Sequence, residues 1–216
     1  MSKIGRPIIF ITIILLLAGI SNAQSYKKGL AFGLNSTYYE YDRTPEYWNK
    51  SNRNLFTASI FLEFLITSKL FVRPSLRFAQ FGNHVDFDEE ISLILTVKSF
   101  EITQTYLTIP LDFKYLILQQ PGIYLLSGTE VGYLIKTDAR TFFIDNSEKD
   151  EDITSNINRV SFNVSIGAGI ELKQIKEKII FFELKYSYGI TEVSKESEWL
   201  YNWKTRELCF NVGLKF

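Results

Sequence analysis

Apolar and polar residues alternate with period two through most of this chain beyond residue 29. In the last ten residues, Leu208, Phe210, Val212, Leu214 and Phe216 share one side, and Glu207, Cys209, Asn211, Gly213 and Lys215 share the other. Side chains alternate across a strand, so this spacing predicts a strand with one greasy and one polar face. Eight segments carry the pattern. The first starts at Leu30-Ala31-Phe32-Gly33-Leu34-Asn35 and runs to about Glu40. The second shows Phe56, Ala58, Ile60, Leu62, Phe64 and Ile66 on one face, and the third Leu70, Val72, Pro74, Leu76 and Phe78. The fourth has Leu107, Ile109, Leu111, Phe113 and Tyr115; the fifth, around 123–136, has Leu125, Val131, Tyr133 and Ile135. The sixth carries Val160, Phe162, Val164, Ile166, Ala168 and Ile170, and the seventh Ile180, Phe182, Leu184, Tyr186 and Tyr188. The terminal strand is the eighth.

No Asp, Glu, Lys or Arg falls in these apolar sets. A cationic side chain facing mid-bilayer lipid costs about 2–4 kcal/mol, so a lipid-facing surface needs that separation. Alternation by itself also suits a soluble barrel or sandwich. Loop lengths discriminate better. Short connections (Thr67-Ser68-Lys69, Gln119-Gln120-Pro121-Gly122, Lys173 to Glu177) alternate with long ones near 41–53, 82–103, 137–158 and 191–204. Short turns at one rim, long loops at the other and an even strand count predict an all-β fold: an eight-stranded antiparallel transmembrane β-barrel with short periplasmic turns and long extracellular loops. His84 to Phe87 and Ile91 to Val97 are expected to extend strands three and four beyond the membrane. Pro74 and Pro110 interrupt strand patterns and predict a bulge or a rim position at each.

The start of the chain fits that destination. Lys3 and Arg6 precede the apolar run Ile8 to Ile20, and Ser21-Asn22-Ala23 offers small residues for cleavage. The run is shorter than the about 20 residues of a membrane span, so residues 1–23 read as a secretory signal peptide and 24–216 as one barrel domain. No Cys follows the run, which excludes a lipoprotein anchor, and the lone Cys209 excludes an intramolecular disulfide. The 24 basic and 24 acidic residues balance, which argues against a nucleic-acid partner.

An eight-stranded barrel is just wide enough for side chains to fill. The inward candidates include Glu63, Asp112, Glu130, Glu171 and Glu183, with Arg73, Arg77, Lys114, Lys185 and Lys215. Equal numbers predict a neutralised network that plugs the lumen, because buried charge needs pairing. A turn at Thr67-Ser68-Lys69 sets Ile66 against Leu70 and Glu63 across from Arg73. A narrow polar pore or proton path is the sharper alternative.

Several motifs together resemble a family. Gly29-Leu30-Ala31-Phe32-Gly33-Leu34-Asn35, Phe61-Leu62-Glu63-Phe64 and Leu70-Phe71-Val72-Arg73-Pro74-Ser75-Leu76 look like the first three strands of the PorT-like outer-membrane β-barrel family, common in Bacteroidetes-type bacteria. Tyr106-Leu107-Thr108-Ile109-Pro110-Leu111 is similar to its most recognisable strand. Ile166-Gly167-Ala168-Gly169-Ile170-Glu171 and Tyr186-Ser187-Tyr188-Gly189-Ile190-Thr191 match its sixth and seventh strands. The resemblance covers nearly all of the chain beyond the signal and implies a small outer-membrane barrel without catalytic residues. Its namesake branch is tied to a gliding-associated secretion system. A barrel of this kind is expected to contact outer-membrane lipid and lipopolysaccharide, to use the barrel-assembly machinery with Phe216 as assembly signal, and to offer its loops to an envelope partner.

Other chemistry is sparse, and no cofactor is implied. His84, the sole histidine, shares a predicted face with Asp86 and Asp88, a weak candidate for a divalent metal. Acidic stretches of this kind are mostly solvated. The acidic run Asp145 to Asp152 lacks the glycine of an EF-type calcium loop. No serine in the adjacent segment pairs with His84 as a nucleophile would with its base, so an enzyme is not expected. Trp48, Trp199, Trp203 and Tyr38-Tyr39-Glu40-Tyr41 are placed at the outer rim as an interfacial aromatic belt. The competing function is a soluble periplasmic lipocalin-like barrel with the faces reversed, binding a small apolar ligand.

Overall fold

The computed structural model describes residues 26–41, 48–87, 96–173, 178–194 and 203–216. The signal segment, Asp88, Trp199 and the Lys173–Glu177 turn beyond Lys173 lie outside them. Among the described residues nine strands form: β1 (Tyr26–Tyr41), β2 (Trp48–Leu65), β3 (Leu70–Phe87), β4 (Val97–Gln119), β5 (Gly122–Phe143), β6 (Glu148–Asp152), β7 (Val160–Lys173), β8 (Ile179–Gly189) and β9 (Trp203–Lys215). Each pairs antiparallel with its neighbours, β1 also pairs with β9, and β4 pairs with β5, so eight of them close a ring. Closure removes the free sheet edge that a bilayer does not tolerate. β6 stands outside the ring as a short strand on the upper half of β5, above the stretch where β5 pairs with β7.

The registers follow the apolar parity. Leu30↔Ile60, Ile60↔Leu76, Val164↔Tyr188 and Leu184↔Phe210 place apolar side chains side by side. These chains point away from the ring axis: Phe32, Leu34, Ile60, Ile109 and Ile166 are each more than 60% exposed. Lipid, rather than a protein core, is the partner such a surface requires. At the short-turn rim, the backbone of Ile66 donates to Leu70 at 2.9 Å, and the Thr67 hydroxyl accepts from the Leu70 amide at 3.1 Å. The register Phe61↔Ser75 and Phe64↔Val72 then sets Glu63 across from Arg73.

Two expectations change. The extension of β3 through His84 to Phe87 is as expected, and Ile91 to Leu95 lie outside the described residues; beyond that, β2 already starts at Trp48 and β5 runs on to Phe143, so that β4 has 23 residues and β5 22, against the about 9–11 that cross a bilayer. The surplus raises one side of the ring, β2 to β6, above the membrane. Its outward face there is charged, so no apolar period marks it. The prolines also differ. Pro74 faces Leu111 and Pro110 faces Glu130 within continuous strands. The β3–β4 ladder skips the next pairs and resumes in the same register, so the missing N–H is absorbed by a gap rather than by a bulge.

Candidate functional site

The side chains of the inward face fill the ring in tiers. Glycines make the room. A Cβ at Gly213 would collide with the ring of Phe181, which lies fully buried across it, and one at Gly169 would collide with the ring of Tyr124.

The tier nearest the short turns joins Glu63, Glu171, Lys114 and Lys215. The Lys114 ammonium meets Glu63 at 3.0 Å and that of Lys215 meets it at 2.9 Å, while Glu171 also contacts both. The next tier centres on Arg73. Its guanidinium binds Glu183 through both terminal nitrogens, one of them at 3.0 Å, and reaches Asp112 at 3.3 Å. The Tyr124 hydroxyl donates to Glu183 at 2.8 Å, and Lys185 lies 3.6 Å from Asp112. The third tier centres on Arg77, which donates to Thr57 at 2.8 Å, to Glu130 at 3.0 Å, to Asn35 at 3.2 Å and to Glu207. All of these charged groups are buried except Glu171, whose side chain is 13% exposed. A cavity of about 20 Å³ lies between the second and third tiers, lined by Ser59, Ser75, Asp112 and Lys185. That is room for about one water.

Above Arg77 the interior turns apolar. Tyr39 stacks on Trp203 with ring centroids 5.5 Å apart, and its hydroxyl donates to Gln104 at 2.7 Å. Phe81 and Tyr106 meet edge to face at 5.5 Å. Ile157 and Val193, from the connections after β6 and β8, close over them. Two placements are therefore corrected. Trp203 and Tyr39, 2% and 1% exposed, lie inside this cap and not in an interfacial belt. Trp48 packs edge-on against Phe87 and Phe100 at 6.5 and 5.8 Å.

All ten of the predicted lumen charges thus sit inside the ring, and contacts bring them into three groups. Glu63 and Arg73 do not bond each other: each turns to partners on other strands. Sequence reasoning missed Glu207 as a lumen group, although it shares the parity of Lys215; it brings the described lumen carboxylates to six against five cations. It also missed Arg206, a cation with the outward parity of β9. Arg206 lies 3.5 Å from the Tyr188 ring, donates to the Gly189 carbonyl at 3.3 Å and pairs with Glu40 near the outer rim. At the opposite end, Phe216 is half exposed; its amide donates to Lys28 at 2.9 Å, and the Lys28 ammonium lies 5.4 Å from its ring.

His84 and Asp86 share the outward face as the alternation requires. The two ring nitrogens are each 3.1 Å from a carboxylate, Nδ1 from Glu101 and Nε2 from Asp86. These carboxylates flank opposite sides of the imidazole, so they do not converge on one point. Among the described residues no cluster of three or more acidic, histidine or cysteine groups is set to hold a metal ion. Beyond the membrane, the Arg140 guanidinium on Asp150 at 2.7 Å holds that carboxyl below the ordinary aspartate range.

Apolar side chains outside, paired charges inside and a closed antiparallel ring define a transmembrane β-barrel of the outer-membrane class, and they are the reverse of a soluble lipocalin-like barrel. The profile of the outer membrane protein beta-barrel domain matches residues 22–195, and the chain belongs to that family and to the outer membrane. Solved structures resemble it at low identity. The attachment invasion locus protein Ail of Yersinia pestis is 13% identical, over 89% of this chain and 100% of its own, with a TM-score of 0.46. Neisserial surface protein A is 12% identical over 88% and 97%, with a TM-score of 0.46. OprG of Pseudomonas aeruginosa is 13% identical over 88% and 94%, with a TM-score of 0.43. A search of the curated proteins finds no match.

Proposed function

We infer that this barrel is a closed, non-conducting element of the outer membrane that acts through the surface it raises outside the cell. The observation that carries the reading is the interior itself. Three tiers of paired charges lie beneath the apolar cap of Tyr39, Trp203, Ile157 and Val193, and the cavity among them has room for about one water. An ion crossing would have to part bonds such as Arg73 to Glu183 and displace packed aromatic rings. The reading gives the barrel no catalytic role. The test is conductance of the purified barrel in a planar bilayer. No discrete steps are expected at high potassium chloride; regular channel steps would overturn the reading.

The PorT-like motifs, above all Tyr106 to Leu111, support a place beside envelope secretion machinery as the finer reading. Affinity capture of the intact barrel from native outer membranes should bring down secretion components. Capture of lipid and assembly machinery alone would remove that branch while leaving the closed barrel in place.

A further inference from the structure

The outward face of β4 and β5 changes chemistry with height. The registers fix the order of rungs: Leu107↔Tyr133, then Thr105↔Lys136, Thr103↔Asp138, Glu101↔Arg140 and Ser99↔Phe142. The lowest of these is apolar and exposed, continuous with Ile109 and Val131 below it. The middle rungs border a cleft of about 360 Å³ lined by Arg53, Glu101, Lys136, Asp138, Arg140 and Asp150. Above them a second cleft, of about 350 Å³, opens between the ends of β3 and β4 and the β5–β6 turn. Its walls carry Asp86, Lys98, Phe142, Asn146 and Glu148, and His84 links the two clefts through Glu101.

Each level suits a different part of one amphiphile. The apolar rung faces hydrocarbon. Arg53 is held in a part-buried pair with Glu101 at 3.1 Å, whereas Lys136 and Arg140 are held by exposed ion pairs, Lys136 to Asp138 at 2.6 Å and Arg140 to Asp150 at 2.7 Å, with Glu148 3.8 Å from Arg140. Exposed pairs contribute little, so a doubly charged phosphate competes for these cations on good terms. In the upper cleft the half-buried ring of Phe142 offers an apolar floor for the C–H face of a sugar. Around it stand side chains that donate to and accept from hydroxyls. Acyl chain, phosphate and sugar occur in that order, from the membrane outward, in the lipid of the outer leaflet.

We propose that this face of β3 to β6 seats one lipopolysaccharide molecule, with its acyl chains on the apolar rung, its phosphates at Lys136 and Arg140, and its inner core sugars in the Phe142 cleft. The proposal rests on the outer-membrane placement of the barrel and is independent of whether the lumen conducts. A phospholipid supplies chain and phosphate but leaves the upper cleft empty. A free glycan supplies only the sugar.

Native mass spectrometry of the intact barrel, taken from phospholipid nanodiscs doped with a deep-rough lipopolysaccharide, tests it. The wild type should retain one lipopolysaccharide in the presence of excess phosphatidylglycerol. Lys136→Ala with Arg140→Ala should weaken retention by about tenfold, and Phe142→Ala by a similar factor. Lipid A without core sugars should keep the dependence on Lys136 and Arg140 and lose that on Phe142. Heat-modifiable gel migration verifies that each variant is folded, and Lys98→Ala is the substitute where Phe142→Ala is not. Equal retention of phosphatidylglycerol and lipopolysaccharide by the wild type, or unchanged retention in folded variants, would overturn the proposal.

Discussion

Arg77 is the most consequential single side chain of the interior. Its side chain is 5% exposed, and its guanidinium contacts two buried carboxylates, Glu130 and Glu207, together with Thr57 and Asn35. Replacing it with Leu keeps much of the volume but leaves two like charges buried without a cation between them. Removing one partner of a buried ion pair costs about 3–5 kcal/mol. Arg77→Leu should therefore destabilise the barrel by at least that amount, a large share of the about 5–15 kcal/mol by which a protein is stable. Glu207→Gln is the informative second change. It leaves Arg77 paired with Glu130 and removes the carboxylate in excess of the lumen cations, so it should cost less than Arg77→Leu. The double variant should recover about 1 kcal/mol or more relative to Arg77→Leu alone, within the usual coupling range of contacting groups. Reversible urea unfolding in phospholipid vesicles, followed by tryptophan fluorescence, measures all three. A loss below about 1 kcal/mol for Arg77→Leu, the level of a solvated surface pair, would refute the reasoning. Strict additivity in the double variant would refute it as well.

Three further outcomes follow from the same geometry. Ile166→Arg, on the outward face of β7, should cost about 2–4 kcal/mol of folding free energy in vesicles, while the same change at exposed Ser147 should cost close to none. Gly213→Leu should block assembly, read as loss of the heat-modifiable band, because the new side chain meets both the Phe181 ring and the Leu30 carbonyl. In a carboxyl NMR titration, Asp150 should lose its charge below the ordinary aspartate midpoint, and Arg140→Ala should return it upward. The sign follows from the depressed value: the contribution of this pair to the β5–β6 extension is full at neutral pH and is lost as pH falls through the folded-state midpoint. High salt should shrink the shift.

The membrane-crossing body was legible because lipid enforces one rule on every strand. Val160 to Ile170 and Leu208 to Phe216 show it without exception. Above the bilayer the rule lapses. Glu101, Lys136 and Arg140 face outward into water there, so β4 and β5 continue through stretches that read as loop, and β6 carries no apolar signal at all. The lumen charges were legible by parity, but their partners were not. Arg73 lies across from Glu63 on the neighbouring strand yet bonds Glu183, 110 residues away in sequence. Inside a narrow barrel, long side chains reach across the axis as readily as along the sheet. Trp203 shows the converse. Its parity with Glu207 pointed inward, but its position near the outer rim suggested an interfacial ring, and only the closure of Ile157 and Val193 over it decides the matter.

The orientation of the strand faces is tested most directly by spin labels placed singly at successive positions from Phe162 to Ile170, in a background with Cys209 replaced by Ala. Collision with oxygen, which concentrates in hydrocarbon, should rise at even positions and fall at odd ones, with the water-soluble nickel chelate excluded from both. Oxygen contact at Ser165 and Gly167 with shielding at Val164 and Ile166, or chelate access along the whole strand, would contradict the account.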